Sequence, residues 1–189
     1  MVGYLALVLL AMVTVVSPAQ QTGPVGKLSA GKLSFDARAT KGPFVGTTTT
    51  ISGEMTGGPD LSTVRGWVES PVGTLKTGND HRDRDLNKSM ETAKYPTMRF
   101  DLTAVTLAQG AGDSIPVTLR GDLFIHGVKR PVDLPGWVRL GKNQAQLHSD
   151  FPLNVKDYKV GGLSKFFGLF KMNPNITVHV DLTFLLPRA

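Results

Sequence analysis

From residue 27 onwards, most of the chain alternates between apolar and polar side chains with a period of two. Leu33, Phe35 and Ala37 show this pattern near the start, where polar residues separate them. A period of two places alternate side chains on opposite faces of a β-strand, and four threonines at 47–50 also favour a strand over a helix. The alternation predicts strands over residues 27–38, 45–55, 64–68, 98–107, 115–126, 128–140, 145–151 and 176–183.

A tight hairpin is predicted at His126 and Gly127, between two of these strands. A two-residue loop with glycine second suits the positive φ angles of such a turn. The turn would place Arg120 opposite Asp133 as an ion pair between neighbouring strands. Pro131 would then occupy a position where the preceding strand needs no amide donor. Its missing N–H therefore predicts a gap in pairing toward the strand that follows.

Two segments depart from the period of two. Residues 79–91 are polar and charged, Asn79 is a suitable N-cap, and Leu86 and Met90 fall on one helical face. They predict a short surface helix across the outside or an end of the sheet. In the second segment, apolar residues at i, i+3, i+4 and i+7 predict one or two helical turns with an apolar stripe. These residues are Leu163, Phe166, Phe167 and Phe170.

The predicted elements define the fold class. Eight strands with short turns and an antiparallel pattern fit a barrel or a sandwich. The two helical segments favour the barrel, since they can cover its ends. We therefore expect an all-β fold, an antiparallel eight-stranded barrel over residues 27–186 with one or two short helices covering an end.

The first 26 residues differ from the rest. Residues 2–16 are almost wholly apolar, and Ser17, Pro18 and Ala19 provide the small residues of a signal-peptidase site. The run is shorter than the roughly 20 residues that a membrane-spanning helix needs. The sequence predicts a signal peptide over residues 1–19, a flexible leader over 20–26 and a periplasmic or secreted protein. An uncleaved anchor is the alternative, because no Lys or Arg precedes the apolar run.

Composition narrows the possible chemistry. The chain has 189 residues, a net charge of +6 and no cysteine, which removes disulfides, thiol catalysis and cysteine metal sites. The sequence contains no long block of Lys and Arg residues of the kind that indicates nucleic-acid binding. The four histidines are not at metal-ligand spacing, and no nucleophile elbow or phosphate-binding loop is present. We therefore predict no catalytic residues, no metal site, no cofactor and no nucleic-acid partner.

Two segments have both a structural and a functional interpretation. Residues 82–85 read Arg, Asp, Arg, Asp, and the simpler interpretation is a solvated helix face with local ion pairs. In the alternative, Asp83 or Arg82 ties the helix to the barrel rim and a basic side chain meets an anionic head group. The phenylalanine stripe is either a plug that completes the core or a hinged lid that contacts a membrane surface.

Three blocks of sequence carry a resemblance to a known family. The first is Thr-Gly-Asn at 77–79 followed by Arg82, Asp83 and Leu86, and the second is Lys-Tyr-Pro-Thr-Met-Arg-Phe at 94–100. The third is Gly-Asp-Leu-Phe-Ile-His-Gly-Val-Lys-Arg-Pro-Val at 121–132, which is highly specific. In these blocks the chain resembles the YceI-like, polyisoprenoid-binding proteins, which are exported bacterial proteins with a lipocalin-like barrel.

The resemblance implies a non-enzymatic barrel that binds, stores or transports a long amphiphilic lipid. A polyisoprenoid, a polyprenyl pyrophosphate, a quinone and a fatty amide are the expected ligand types. An eight-stranded barrel can hold one such ligand, and each buried CH₂ contributes roughly 0.8 kcal/mol. The predicted apolar wall and lid are Phe35, Met98, Phe100, Leu123, Ile125, Phe151, Phe166, Phe167 and Phe170. The head-group candidates are Arg82 and Arg84.

Two other functions remain open from the sequence. A periplasmic stress-response or interaction protein would have a barrel filled by its own side chains. An enzyme acting on isoprenoid lipids would need a titratable group inside the barrel. The sequence also leaves open a transient contact with a membrane surface and a homodimer.

Overall fold

The computed structural model describes residues 25–57, 60–109, 113–165 and 170–186. Within these ranges it contains one α-helix, α1 (Asp80–Ser89), and eleven β-strands. The strands are β1 (Val25–Ala39), β2 (Gly42–Thr48), β3 (Ser52–Thr56), β4 (Arg65–Pro71), β5 (Thr97–Leu107), β6 (Ile115–Ile125), β7 (Val128–Leu140), β8 (Gln144–Asn154), β9 (Ser164–Lys165), β10 (Phe170–Lys171) and β11 (Asn175–Leu185). Three short 3-10 helices span Leu61–Thr63, Val72–Thr74 and Val155–Tyr158.

The strands form a closed antiparallel barrel with eight positions around its circumference. Neighbours pair in the order β11, β8, β7, β6, β5, β4, β3, β1, and β1 then pairs with β11 to close the sheet. The predicted eight-stranded antiparallel barrel is therefore confirmed. Its first strand begins at Val25, two residues before the predicted start of the barrel.

The strand predicted over residues 45–55 is interrupted in the structure. β2 and β3 keep one register against β1, where Leu33 pairs with Thr48 and Val25 with Thr56. Between them the Thr50 N–H donates to Thr48 Oγ1, 3.1 Å away. A threonine side chain thus takes a donor that a continuous ladder would use, and β2 and β3 share one position in the barrel.

The predicted hairpin has the predicted register. Ile125 pairs with Val128, and Arg120 pairs with Asp133 through a 2.8 Å contact from Nε to Oδ1. His126 and Gly127 have φ angles of 51° and 72°, the positive values that a type I′ turn requires at both positions.

The predicted gap beside Pro131 is also present. Within the described residues, β7 pairs with β8 only from Trp137 to Leu140, so residues 128–136 have no ladder partner on that side. Pro131 and Pro135 lie in this part of β7, and Pro152 lies in the facing part of β8. Since proline has no N–H, these three residues cannot donate to a ladder here.

Helix α1 covers the end of the barrel at which β1 ends and β5 begins. The Asn79 side chain caps it by accepting from the Arg82 N–H at 3.0 Å, as predicted. Asp83 is 6% exposed and accepts from the Thr77 N–H at 2.9 Å and from the Thr77 hydroxyl at 2.6 Å. The simpler interpretation, a solvated face over residues 82–85, is therefore wrong for Asp83. It holds the helix to Thr77, whose neighbour Lys76 forms a bridge to Thr47 of β2.

The predicted helix at residues 163–170 is wrong where the structure describes that segment. Ser164 pairs with Lys171 and Lys165 with Phe170, so β9 and β10 form a two-stranded antiparallel sheet. Four apolar residues at helical spacing also fit a short hairpin, because so short a run does not fix the period. Phe166 and Phe167, two of the predicted lid residues, lie outside the described residues.

Candidate ligand-binding cavity

The barrel interior contains a cavity of about 760 Å³. It lies at the end of the barrel covered by α1, by the β1–β2 turn and by the segment after β8. All six predicted wall residues line it, namely Phe35, Met98, Phe100, Leu123, Ile125 and Phe151. Their contact with a ligand remains a prediction. The interior is thus not packed solid, and its size falls within the range of about 300–1,000 Å³ typical of ligand pockets.

Strand alternation explains why these side chains point inward. Along β6, Val117, Leu119, Gly121, Leu123 and Ile125 are all buried, and the residues between them are more exposed. One face of an antiparallel strand packs inside the barrel while the other contacts water. Because the hairpin turn fixes the register, it also fixes which residues of β6 and β7 face the cavity.

Two glycines let aromatic rings lie flat against the wall. A Cβ atom at Gly46 would lie 2.2 Å from the Phe35 ring, and one at Gly121 would lie 2.7 Å from the Phe100 ring. A larger residue at Gly46 would clash with the Phe35 ring, and one at Gly121 would clash with both the Phe100 ring and the Asp101 carbonyl. The glycines therefore help to keep the space open.

The polar groups of the cavity wall are few, and those inside are satisfied. The Ser70 hydroxyl donates to the Thr50 carbonyl at 2.8 Å, and the Ser149 hydroxyl donates to the Pro135 carbonyl at 2.7 Å. The acidic and imidazole side chains among the described lining residues are Glu69, Asp85 and His81, and none of them is buried. An apolar tail inside the barrel would therefore meet no buried carboxylate or imidazole among the described lining residues.

Arg82 is a cationic residue at the cavity mouth that the structure holds in a fixed orientation. Its Nη2 donates to the Thr77 carbonyl at 2.7 Å, and its guanidinium carbon lies 4.5 Å from the centroid of the Phe44 ring. Its Nε is buried and has no hydrogen-bond partner among the described residues. A guanidinium held in place by Thr77 and Phe44 is suited to attract a carboxylate or phosphate group.

Arg84, the second head-group candidate, lies elsewhere. It is exposed, its Nη2 lies 2.8 Å from His81 Nδ1, and it does not line the cavity. Side chains that are two positions apart on a helix point in different directions. Only one of the two arginines therefore faces the mouth. Lys41 and Lys171 also line the cavity, and sequence reasoning missed both because each lies in a turn or short strand without a motif.

The electrostatics around α1 favour an ionised Asp83. The hydrogen bond from the Thr77 side chain lowers the pKa of Asp83, although burial opposes this shift, and Lys76 and Arg82 lower it further. The carboxylate thus stays charged beside Arg82. It fixes Thr77, whose carbonyl in turn holds the Arg82 guanidinium.

His126 joins three loops at the same end of the barrel. It is 8% exposed, and its Nδ1 lies 3.1 Å from the Tyr158 carbonyl. Its Nε2 lies 2.8 Å from Oε2 of Glu91, outside hydrogen-bond geometry, and its ring packs edge-on against Tyr95 at 4.7 Å. The His126–Gly127 turn therefore also fastens the segments that border the cavity.

A cluster of five ionisable residues lies outside the barrel on β1, β8 and β11. We call it the His–Asp cluster; it consists of His148, His179, Asp36, Asp150 and Asp181. His148 lies 2.7 Å from Asp181 and 3.0 Å from Asp150, and His179 lies 2.6 Å from Asp150 and 3.4 Å from Asp36. Both nitrogens of each ring face a carboxylate, an arrangement that requires the protonated imidazole.

The pKa shifts in the His–Asp cluster agree with this geometry. His148 donates a hydrogen bond to Asp181 and His179 donates one to Asp150, and these bonds raise the pKa of both imidazoles against the effect of burial. Burial alone would raise the pKa of Asp150, but hydrogen bonds from His179 and His148 outweigh it and lower that pKa. Among the described residues no group of three or more His, Asp or Glu side chains is arranged to hold a metal ion.

A closed antiparallel barrel with an apolar interior and a helix across one end defines the class of lipocalin-like barrels. The profile of the YceI-like domain matches residues 27–184. The chain belongs to the YceI-like family. No curated protein matches the sequence.

Several solved structures share this fold at low sequence identity. BcnA of Burkholderia cenocepacia is 16% identical with a TM-score of 0.69, over 81% of this chain and 95% of that one. A polyisoprenoid binding domain from Saccharophagus degradans, implicated in plant cell wall breakdown, is 19% identical with a TM-score of 0.71, over 86% of this chain and 98% of that one. The YceI protein of Campylobacter jejuni is 16% identical with a TM-score of 0.60, over 76% of this chain and 85% of that one.

The described part of the chain has no helix with the length and apolar character needed to cross a membrane.

Proposed function

We propose that the protein binds one long amphiphilic lipid, with the apolar tail inside the barrel and the head group at the mouth beside Arg82. The binding is non-enzymatic, and the lipid is stored or carried. The observation that carries this proposal is the cavity of about 760 Å³ with an apolar wall. Similarity to a polyisoprenoid binding domain makes an isoprenoid the first ligand to test.

The physical argument is that the cavity replaces water as the surroundings of the tail. Each CH₂ that leaves water is stabilised by roughly 0.8 kcal/mol, so a tail of many carbons repays the cost of immobilising the ligand. The absence of a buried acid or histidine among the described lining residues disfavours an enzyme that acts on the tail. The cavity itself disfavours a barrel filled by its own side chains.

The mouth supports an anionic or polar head group. Arg82, Lys41 and Lys171 all line it, and Arg82 is already oriented by Thr77 and Phe44. A diphosphate at the mouth would be attracted by the positive charge of the Arg82 guanidinium. Quinones and alcohols would use the same position with a weaker, uncharged hydrogen bond.

The first experiment is direct. The protein is purified from its own host, measured by native mass spectrometry and extracted with solvent, and the extract is analysed for lipids. We expect a bound isoprenoid or other long-chain amphiphile in stoichiometric amount. Empty protein that also takes up neither polyprenol nor quinone from vesicles would refute the carrier function.

The role of Arg82 is tested by comparing two head groups on the same tail. Arg82→Gln is expected to weaken binding of a farnesyl diphosphate at least tenfold and to leave farnesol binding almost unchanged. Arg84→Gln is the matched control, because Arg84 lies on the same helix but away from the mouth. Equal losses for both ligands, or equal effects of both variants, would contradict the assignment.

We also propose that the protein is exported to the periplasm or secreted, on the strength of the apolar residues 2–16 and the small residues that follow them. Fractionation of the host followed by N-terminal sequencing is the measurement. We expect the exported protein to begin at Gln20. Recovery of Met1 or Val2 at its N-terminus would instead support an uncleaved anchor.

A further inference from the structure

A second cavity of about 280 Å³ lies at the opposite end of the barrel. Val105, Val138, Ala145 and Phe184 contribute to its lining, and none of the described residues that line it is charged. The lining also includes Leu140 at the rim, which is 46% exposed. This end therefore offers a second apolar space inside the same barrel.

The two cavities share part of their lining. Met55, Leu102, Leu119 and Leu147 line both, and they come from β3, β5, β6 and β8. We call these four residues the partition. Their side chains are wholly apolar, and Met55 has a flexible, unbranched side chain that adapts readily to irregular gaps.

Volume determines what the partition does to a long tail. At about 30 Å³ for each water-sized group, the first cavity of about 760 Å³ holds on the order of 25 carbon-sized groups. By the same measure, the second cavity of about 280 Å³ holds on the order of 9 more. A tail of more than about 25 carbons must either leave its end in water or continue past the partition.

We propose that the second cavity binds the far end of the tail, which passes the partition when the Met55 and leucine side chains move aside. This inference rests on the proposed lipid-binding function and adds the ligand's length class to it. The ligand is then an unbranched or isoprenoid tail of up to about 35 carbons. Head group and tail end lie at opposite ends of the barrel.

The test is uptake of isoprenoid alcohols of increasing length from phosphatidylcholine vesicles. In the vesicle the tail is already out of water, so uptake is independent of length as long as the protein covers the whole tail. Each CH₂ left in water costs roughly fourfold in affinity. The series is geranylgeraniol, geranylfarnesol, hexaprenol and heptaprenol.

Ala145→Phe places a ring in the second cavity only, since Ala145 does not line the first. We expect the native protein to take up all four alcohols with similar affinity. In Ala145→Phe, we expect hexaprenol and heptaprenol to bind at least tenfold more weakly, and geranylgeraniol to bind as in the native protein. Gln144→Phe, at the exposed neighbouring position on β8, is the control and should match the native protein.

A second measurement does not depend on the folding of a variant. Heptaprenol carrying a photoactivatable diazirine at its tail end should crosslink the native protein at second-cavity residues such as Val105 and Val138. A geranylgeraniol analogue should crosslink at residues of the first cavity.

The outcomes separate the two proposals. The inference is overturned if native uptake already falls tenfold between geranylfarnesol and hexaprenol, or if both tail ends crosslink only in the first cavity. The second cavity then holds no tail, while the proposed lipid binding stands. If Ala145→Phe is folded and binds the long alcohols as well as the native protein does, the inference is also overturned. If no alcohol is taken up at any length, the lipid-binding function itself fails.

Discussion

Removal of the Asp83 carboxylate is expected to detach helix α1 from the barrel and to lower the free energy of unfolding. Asp83 accepts two hydrogen bonds from Thr77, at 2.9 Å from the N–H and 2.6 Å from the hydroxyl. Hydrogen bonds to a charged group contribute about 1.5–3 kcal/mol each. In Asp83→Ala the buried Thr77 donors lose their partner, and partial relaxation of the helix recovers some of the loss. We expect a net loss of about 2–4 kcal/mol.

Urea unfolding followed by circular dichroism measures this loss. Asp83→Asn keeps a neutral acceptor in the same place and should lose less than Asp83→Ala. Asp80→Ala is the control, since Asp80 lies in the exposed first turn of the same helix. Its loss should not exceed about 1 kcal/mol, the usual contribution of an acid near a helix N-terminus. Similar losses for Asp80→Ala and Asp83→Ala would refute the reasoning.

The pH dependence gives the same prediction a second test. The pKa of Asp83 is lowered in the folded protein, chiefly by the Thr77 hydrogen bond. A carboxyl with a lowered pKa stabilises the fold at pH values above its ordinary pKa, and this contribution is lost as the pH falls through the folded value. The stability difference between the native protein and Asp83→Ala should therefore be constant near neutral pH and should shrink below about pH 4. A difference that stays unchanged in acid would mean that the carboxylate charge plays no part.

Two further predictions concern the turn and the His–Asp cluster. Gly127→Ala should destabilise the protein by more than 1 kcal/mol, because Gly127 has φ +72° and a Cβ there would lie 2.4 Å from the Tyr95 ring. Gly73→Ala is the control: a Cβ at Gly73 would have its nearest contact at 3.6 Å, so this variant should change the melting temperature little. In the His–Asp cluster the pKa values of His148 and His179 are raised in the folded protein. Their contribution to the stability of the fold is therefore complete below the ordinary histidine pKa and is lost as the pH rises through the folded pKa values. Urea unfolding between pH 6 and 9 should show the native protein losing about 1–2 kcal/mol relative to a His148→Gln/His179→Gln variant, and parallel curves would contradict this.

Local signals were sufficient to predict most of the strands, the hairpin and the inward face of β6. The His126–Gly127 turn fixes the register, and from the register the alternation of apolar residues identifies Leu123 and Ile125 as inward. Asn79 as the helix cap also follows from short-range chemistry. In each of these cases the residues that determine the structure are close together in the sequence.

The remaining features depend on residues far apart in the sequence. The His–Asp cluster joins His179 to Asp36, 143 residues away, and becomes visible only once β1, β11 and β8 are in register. The segment after Gly162 has an apolar stripe that fits a helix, but its described ends pair with each other as strands. The volumes of the two cavities depend on how side chains from eight strand positions pack together, and no pattern along one strand determines that.

The gap between β7 and β8 explains why the loops at the cavity mouth are fastened by side chains. Pro131 and Pro135 remove donors from β7. In the part of the chain that the structure describes, this sector therefore lacks the ladder hydrogen bonds that close the other seven seams of the barrel. Side chains replace them: Ser149 Oγ donates to the Pro135 carbonyl at 2.7 Å, and Arg130 Nη1 donates to the Asp157 carbonyl at 3.1 Å. Side-chain contacts break more readily than a cooperative ladder, and low local stability is characteristic of segments that move for ligand binding. The side of the barrel with this gap thus adjoins the cavity mouth, through which the tail would pass in the proposed function.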